Sequence, residues 1–428
     1  MKMTPATVLL LSEEVERTYM DASDQLLVAI AKRLKRGRAK SLEAWKIEKL
    51  AEMNLLTKEA VEIMARVAKT TPKKVVEALS EAMAISLEDT EKILAGAAEK
   101  GLIHQAGAIQ TSERVREVVQ NYARQSTDKL NLVNTVMLNS TQTTYRQAVN
   151  TIADELASEA AKRNALLTKT GIENAWSAAS SIELEEKAKV AQEILNTATM
   201  ETNLGLWNYQ SAVGKAIEQM TAQGITGFYD IRGHKWSAEA YVNMDIRTTV
   251  HNTAIAGQKA RSADYGVSTF QVSTKSAARP LCAPWQGHIL SWNAGDRGVV
   301  YDLHGTAYQY QSVYDTSYGE PAGLFGINCG HFPETFVNGY SMARYEELDP
   351  EQEERNAEEY KLSQEQRAME RDVRKEFTYA QAMKSAGLDY SSALKNAEAA
   401  RKEYTAWCKD NGRTPRYNRT SIYGEKKL

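Results

Sequence analysis

Two pieces of sequence decide how this chain folds: Ser-Ala-Ala-Arg-Pro-Leu-Cys-Ala-Pro-Trp-Gln-Gly (276–287) and Gly-Leu-Phe-Gly-Ile-Asn-Cys-Gly-His-Phe (323–332). They lie in a stretch, Ser273 to Tyr340, that holds two of the three cysteines and four of the eight prolines (Pro280, Pro284, Pro321, Pro333). Trp285, Trp292, His288, His304 and His331 fall there too, whereas the rest of the chain is rich in Ala, Glu, Lys and Leu. Proline removes a backbone donor and glycine gives up backbone order, so a segment dense in both is not one long helix. The expectation is short strands joined by fixed turns, a small β-rich module set among helices. Thr269–Ser273 alternates as a strand, Ile289–Trp292 reads as a second, and His331–Phe336 as a third that Pro333 confines to a sheet edge. Within the turns, Arg279 forks to a carboxylate or carbonyls, Pro280 and Pro284 fix the backbone, and the indole of the Trp285-Gln286-Gly287 turn fills the module's core.

Outside this stretch the periodicity is helical. Leu11, Val15, Tyr19, Leu26, Ile30 and Leu34 recur at helical spacing up to a stop at Gly37. Between Ser41 and Gly101 the cap signals at Ser41, Thr57, Thr71-Pro72 and Ser86 predict four short helices. Residues 112–223 read as long polar-faced helices with breaks near Thr168–Gly171, Ala179–Ile182 and Met200–Asn203. Gly224–Trp236 is a turn-rich connection, and Ser237 caps a helix that ends at Gly266. On that helix Arg247 and His251 are four residues apart and share one face, which directs both toward the module. From Ser341 helical character returns, and the Gln366–Lys375 segment is supported by an i,i+4 pair of Glu370 with Arg374, either exposed or docked. The end of the chain is cationic and aromatic, which predicts a tail that stays disordered until it meets a partner.

The chain is therefore expected to be α+β and mainly helical. Residues 1–110 form an N-terminal arm and small helical subdomain, 111–230 a long-helix region, 231–340 the β-rich module with its leading helix, and 341–428 a helical tail with a basic end.

A length of 428 residues suits two or three domains. A net charge of −2 excludes a protein that coats nucleic acid with its whole surface, so contact with DNA requires a local patch. Two patches qualify: Lys32, Arg33, Lys35 and Arg36, continued by Arg38 and Lys40, and Arg413, Arg416 and Arg419, continued by Lys426 and Lys427. Against that stands a solvated helix end at its negative dipole terminus. Three widely spaced cysteines do not make a disulfide framework. No apolar run is long enough for a membrane span, and Val8–Leu11 lacks a cleavage site after it, so synthesis in a cytoplasm is expected.

Cys282 with His288 and Cys329 with His331 together supply four donors of the kind zinc takes, although their spacing is not that of a standard finger. The alternative is that both cysteines are small buried core residues. A catalytic reading needs a nucleophile and an orienting base, and a cysteine beside a histidine is the sole candidate. Phosphate loops, His-Glu-x-x-His, Gly-x-Ser-x-Gly and paired carboxylates are absent from the sequence.

Met-Asp-Ile-Arg-Thr (244–248), the Ala-Arg-Pro ending at Pro280 with Trp-Gln-Gly (285–287), and Gly-Leu-Phe-Gly-Ile-Asn-Cys-Gly-His (323–331) resemble the phage minor capsid protein 2 family, head proteins of tailed phages related to the phage Mu type. The resemblance makes Arg247, Arg279, Pro280, Trp285, Gln286, Gly287 and Asn328 motif residues. Tyr360, Gln366-Arg367, Glu370-Arg371 and Val373-Arg374 are similar to a helix of that family, with Val373 where the pattern has Ile. Where the pattern places His between Pro280 and Trp285 this chain has Cys282, an exchange that a ligand position permits, while a His expected near Lys275 is absent. The resemblance implies a non-enzymatic virion protein, present in few copies inside the head near the portal and assisting assembly or DNA packaging and ejection. Implied partners are the portal, the major capsid or scaffold protein and packaged DNA. A packaged toxin-like or hydrolytic effector and a metal-stabilised nucleic-acid-binding protein are the rival functions.

Overall fold

The computed structural model describes residues 2–35, 37, 39, 41–109, 112–178, 206–223, 227–229, 235–425 and 428. The chain is α+β and mainly helical, with a mixed five-stranded sheet. In chain order the elements are α1 (Pro5–Arg33), α2 (Leu42–Ala51), α3 (Met53–Glu99), α4 (Glu113–Ala178), α5 (Leu206–Gln223), β1 (Gly227–Tyr229), β2 (Lys235–Ser237), α6 (Ala238–Asp264), β3 (Thr269–Val272), β4 (Ile289–Ser291), β5 (Gly298–Tyr301), β6 (Ala307–Ser312), β7 (Pro333–Thr335), α7 (Pro350–Ser385), α8 (Ser391–Asp410) and α9 (Tyr417–Thr420). They group into two compact units that interleave along the chain. The first comprises Met1–Met20, Arg66–Asn134 and Ala238–Met369; the second comprises Asp21–Ala65, Thr135–Ser237 and Glu370–Leu428. Among the described residues no helix is long and apolar enough to cross a membrane.

The first unit is built on the sheet, ordered β5-β6-β4-β3-β7, with β4 and β6 parallel and the other pairs antiparallel. β7 lies at an edge, where the missing N–H of Pro333 costs no ladder bond. Glycines at 295, 298 and 305 are residues typical of loops, yet β5 and β6 form at or beside them and pair from Gly298↔Tyr310 to Tyr301↔Ala307. Helix α6 carries buried Val242, Ile246, Val250, Ala254 and Arg261 at helical spacing, so one face is withdrawn from water along its length. Arg261 is 1% exposed; its guanidinium forks to Glu91 at 2.6 and 2.7 Å and donates to the Gly107 carbonyl at 2.9 Å. Arg247 does not face the sheet as its spacing with His251 suggests: it forks to Glu16 on α1, because a buried carboxylate there captures both guanidinium arms. The sheet's aromatic core is Phe270 stacked on Trp292 at 4.1 Å, with Phe325 about both rings at 6.0 and 5.9 Å. Trp285, expected in that core, is half-buried and turned edge-on to His288.

In the second unit Ser41 caps α2, accepting from the Ala44 amide at 3.2 Å. Its fully buried Trp45 meets Tyr209 of α5 edge-on at 6.0 Å. Tyr145 donates to the Lys49 carbonyl at 2.9 Å. The turn-rich connection expected at 224–236 contains a short antiparallel pair, β1 with β2, in register from Gly227↔Ser237.

Several helix boundaries differ from those expected. Residues 53–99 form one helix rather than three, with Pro72 inside it. The hydroxyls of Thr57 and Ser86 are not caps; they donate back to the Met53 and Met83 carbonyls of their own helix. Helix α4 runs through the break expected at 168–171, while those at 179–182 and 200–203 lie outside the described residues.

The C-terminal segment is ordered rather than loose. Asp24 accepts from Arg374 at 3.0 Å and from the Tyr423 amide at 2.9 Å, and Arg401 pairs with Glu425. The Glu370–Arg374 helix pair does not form. Glu370, 4% exposed, takes the Tyr404 hydroxyl at 3.2 Å and Arg419 at 3.3 Å, because a buried carboxylate draws donors from neighbouring elements.

Candidate functional site

The two signature stretches meet in the first unit. In the earlier one, the Arg279 carbonyl accepts from the amides of Cys282 and Ala283 at 2.8 and 2.9 Å, and a 3-10 turn follows at Ala283–Trp285. The chain then reverses at Gly287, whose φ is 80°; a Cβ there would stand 2.4 Å from the Glu346 carbonyl oxygen, so side chains are excluded on two counts. Gln286 is 1% exposed and accepts the Lys275 amide at 2.5 Å. In the later stretch Gly323 lets its backbone pass Ser317, whose carbonyl oxygen would lie 1.9 Å from a Cβ.

Side chains tie the two stretches together. Arg279 donates to the Gly323 carbonyl at 3.4 Å, and the Ser317 hydroxyl donates to Leu281 while accepting from the Leu324 amide at 3.0 Å. Asn328, at φ 54°, gives its amide to Thr248 of α6 at 3.2 Å. Asn356 of α7, 8% exposed, exchanges hydrogen bonds of 2.7 and 2.9 Å with the backbone of Ala278. Sequence reading missed this clamp, since Asn356 sits in a run of glutamates whose composition says only exposed helix.

This scaffold brings Cys282, Cys329 and His331 together. Their exposures are 1%, 7% and 1%, and their potential ligand atoms lie within 4.8 Å of one another. The two sulfurs are 3.9 Å apart, and Cys329 Sγ is 3.3 Å from His331 Nδ1. The hydrogen bond between the two cysteines, with help from His331, holds the Cys329 thiol well below its ordinary range, and the same bond with burial pushes the Cys282 thiol up. His288 is not in this cluster; its Nε2 is 3.7 Å from Glu347. His251 stands close by instead. It is 1% exposed, its Nε2 is 2.7 Å from the His331 carbonyl, its ring meets Phe332 at 4.7 Å, and burial lowers its pKa.

The cationic candidates belong to the second unit. Lys32 and Lys35 are exposed, whereas Arg33 pairs with Glu59 at 2.7 Å. Arg413, Arg416 and Arg419 are half-buried. Arg36, Arg38, Lys40, Lys426 and Lys427 lie outside the described residues.

A family model described as phage minor capsid protein 2 matches residues 3–170 and 159–409. A protein named "Structural protein" from Lactococcus phage LL-H is 34% identical over 188 residues, 44% of this chain and 48% of that protein. A second "Structural protein", from Lactococcus phage mv4, is 42% identical over 67 residues, 16% of this chain and 52% of that protein. The chain thus spans about half the length of these relatives. No solved structure matches it.

Proposed function

Because the chain belongs to the phage minor capsid protein 2 family, we propose that it is a structural head protein of a tailed phage, carried in few copies at the inner face of the head near the portal, where it assists assembly or DNA packaging and ejection. The family match over most of the chain carries this reading, and the two relatives named as structural proteins agree with it. No catalysis is assigned. The cysteine and histidine that an enzyme would use are 7% and 1% exposed, shut away from any macromolecular substrate.

Docking falls to charge presented at the surface. Lys32 and Lys35 are exposed, and Arg413 and Arg416 are half-buried; Arg33 and Arg419 already have carboxylate partners. A net charge of −2 supplies no overall attraction to DNA, which favours an acidic face of the portal, capsid or scaffold protein as the partner. The test is co-sedimentation of the purified chain with portal rings, capsid protein and scaffold. Association that Lys32→Glu with Lys35→Glu abolishes, in a protein that melts unchanged, is the expected result. Failure to associate with any of the three, together with DNA binding that weakens steeply with salt, would overturn the reading in favour of a nucleic-acid binder.

A further inference from the structure

We propose that Cys282, Cys329 and His331 bind a zinc-class divalent metal, and that Nδ1 of His251 completes the shell. Cys282 and Cys329 come from two irregular loops 47 residues apart in sequence, yet their sulfurs are 3.9 Å apart. Zinc–sulfur bonds of about 2.3 Å at tetrahedral angles place two thiolates about 3.8 Å apart, so the pair already has the spacing of sulfurs that share one ion. The third donor is in place as well, with His331 Nδ1 3.3 Å from Cys329 Sγ. All three residues are buried, and a buried site free of competing water is where a structural ion cross-links loops that lack a large core of their own.

His251 is selected over His288 by its surroundings. A ligating imidazole characteristically gives its second ring nitrogen to a carbonyl, which leaves the other nitrogen's lone pair free for the ion. His251 has this arrangement: Nε2 is committed to the His331 carbonyl at 2.7 Å, while Nδ1 is buried without a well-formed hydrogen bond. The Asn252 side chain, next in sequence, is the rival partner for that nitrogen. Nε2 of His331 and the amide nitrogen of Gln286 are also buried without partners, so this corner of the fold holds more unspent polar capacity than a closed hydrophobic core tolerates. On binding, each cysteine thiol still protonated gives its proton to solvent and no electron is transferred. A neutral ion-centred cluster results from two thiolates, two imidazoles and a divalent cation.

The full-length chain, purified with reductant and without chelator, is analysed for metals and then titrated with cobalt(II) after metal removal. About one zinc per chain, and cobalt spectra with intense visible bands and a near-ultraviolet thiolate charge-transfer band, are the expected results. Cys282→Ser and Cys329→Ser should each weaken cobalt binding at least tenfold, while Cys408→Ser, in α8, leaves it unchanged. His251→Gln should shift the visible bands; unchanged bands would overturn its place in the shell. If the cysteine variants do not fold, the wild-type cobalt spectrum still decides. Three free thiols by titration, with no bound metal and no thiolate–cobalt band, would overturn the proposal.

Discussion

Replacing Gly287 with alanine isolates the constraint that closes the earlier signature loop. The residue sits at φ 80°, where an L side chain costs about 1–2 kcal/mol. The added Cβ would also lie 2.4 to 2.6 Å from the backbone of Glu346 and Glu347. That segment cannot retreat freely, because Gln271 holds it through the Arg344 amide and the Tyr345 carbonyl, both at 2.8 Å. Overpacking against fixed backbone adds about 1–3 kcal/mol, so the substitution should cost about 2–5 kcal/mol in all. Gly295 supplies the control: its φ is 71°, but nothing lies within 4 Å of its would-be Cβ, so Gly295→Ala carries the conformational cost alone. Urea denaturation followed by near-ultraviolet circular dichroism measures both variants. Equal losses, to within about 0.5 kcal/mol, would refute the close approach at Gly287.

Three further outcomes follow from the packing. Trp292→Ala should cost about 3–5 kcal/mol and Trp285→Ala only about 1 kcal/mol, since one indole is stacked in the core and the other is half-exposed; equal losses in urea would contradict the assignment. Arg261, chiefly by its hydrogen bond, holds the Glu91 carboxyl below its ordinary value. A depressed folded pKa gives stability that is full above the ordinary glutamate value of about 4.3 and is lost as pH falls below it, so Glu91→Gln should flatten that acid limb, and an unchanged limb in acid titration would contradict the pairing. Asp24→Ala removes the acceptor of Arg374 and of the Tyr423 amide, and hydrogen exchange across 417–425 should speed up; unchanged protection would show that the tail is held elsewhere.

The sequence shows its strands where turn residues flank them and hides them where glycine lies within. Thr269–Val272, Ile289–Ser291 and Pro333–Thr335 were legible from alternation and from the edge preference of proline. Gly298–Tyr301 and Ala307–Ser312 were not, because the glycines at 298 and 305 carry the same signal as a loop and Val299 and Tyr301 remain 49% exposed. In α3 the serine and threonine signals of a helix start were spent on carbonyls of the same helix, and buried Thr71, Val75 and Leu79 keep the turns around Pro72 packed. Composition pointed to Cys282, Cys329 and His331, but the choice between His288 and His251 depends on which ring a distant carbonyl orients, and sequence spacing does not carry that.

The central claim is that this chain is an internal, low-copy component of the phage head, and quantitative mass spectrometry of purified virions with and without external protease tests it most directly. The account predicts a chain present far below the major capsid protein, intact in filled heads and cleaved only after they are opened. Absence from virions, or cleavage in intact heads, would contradict it.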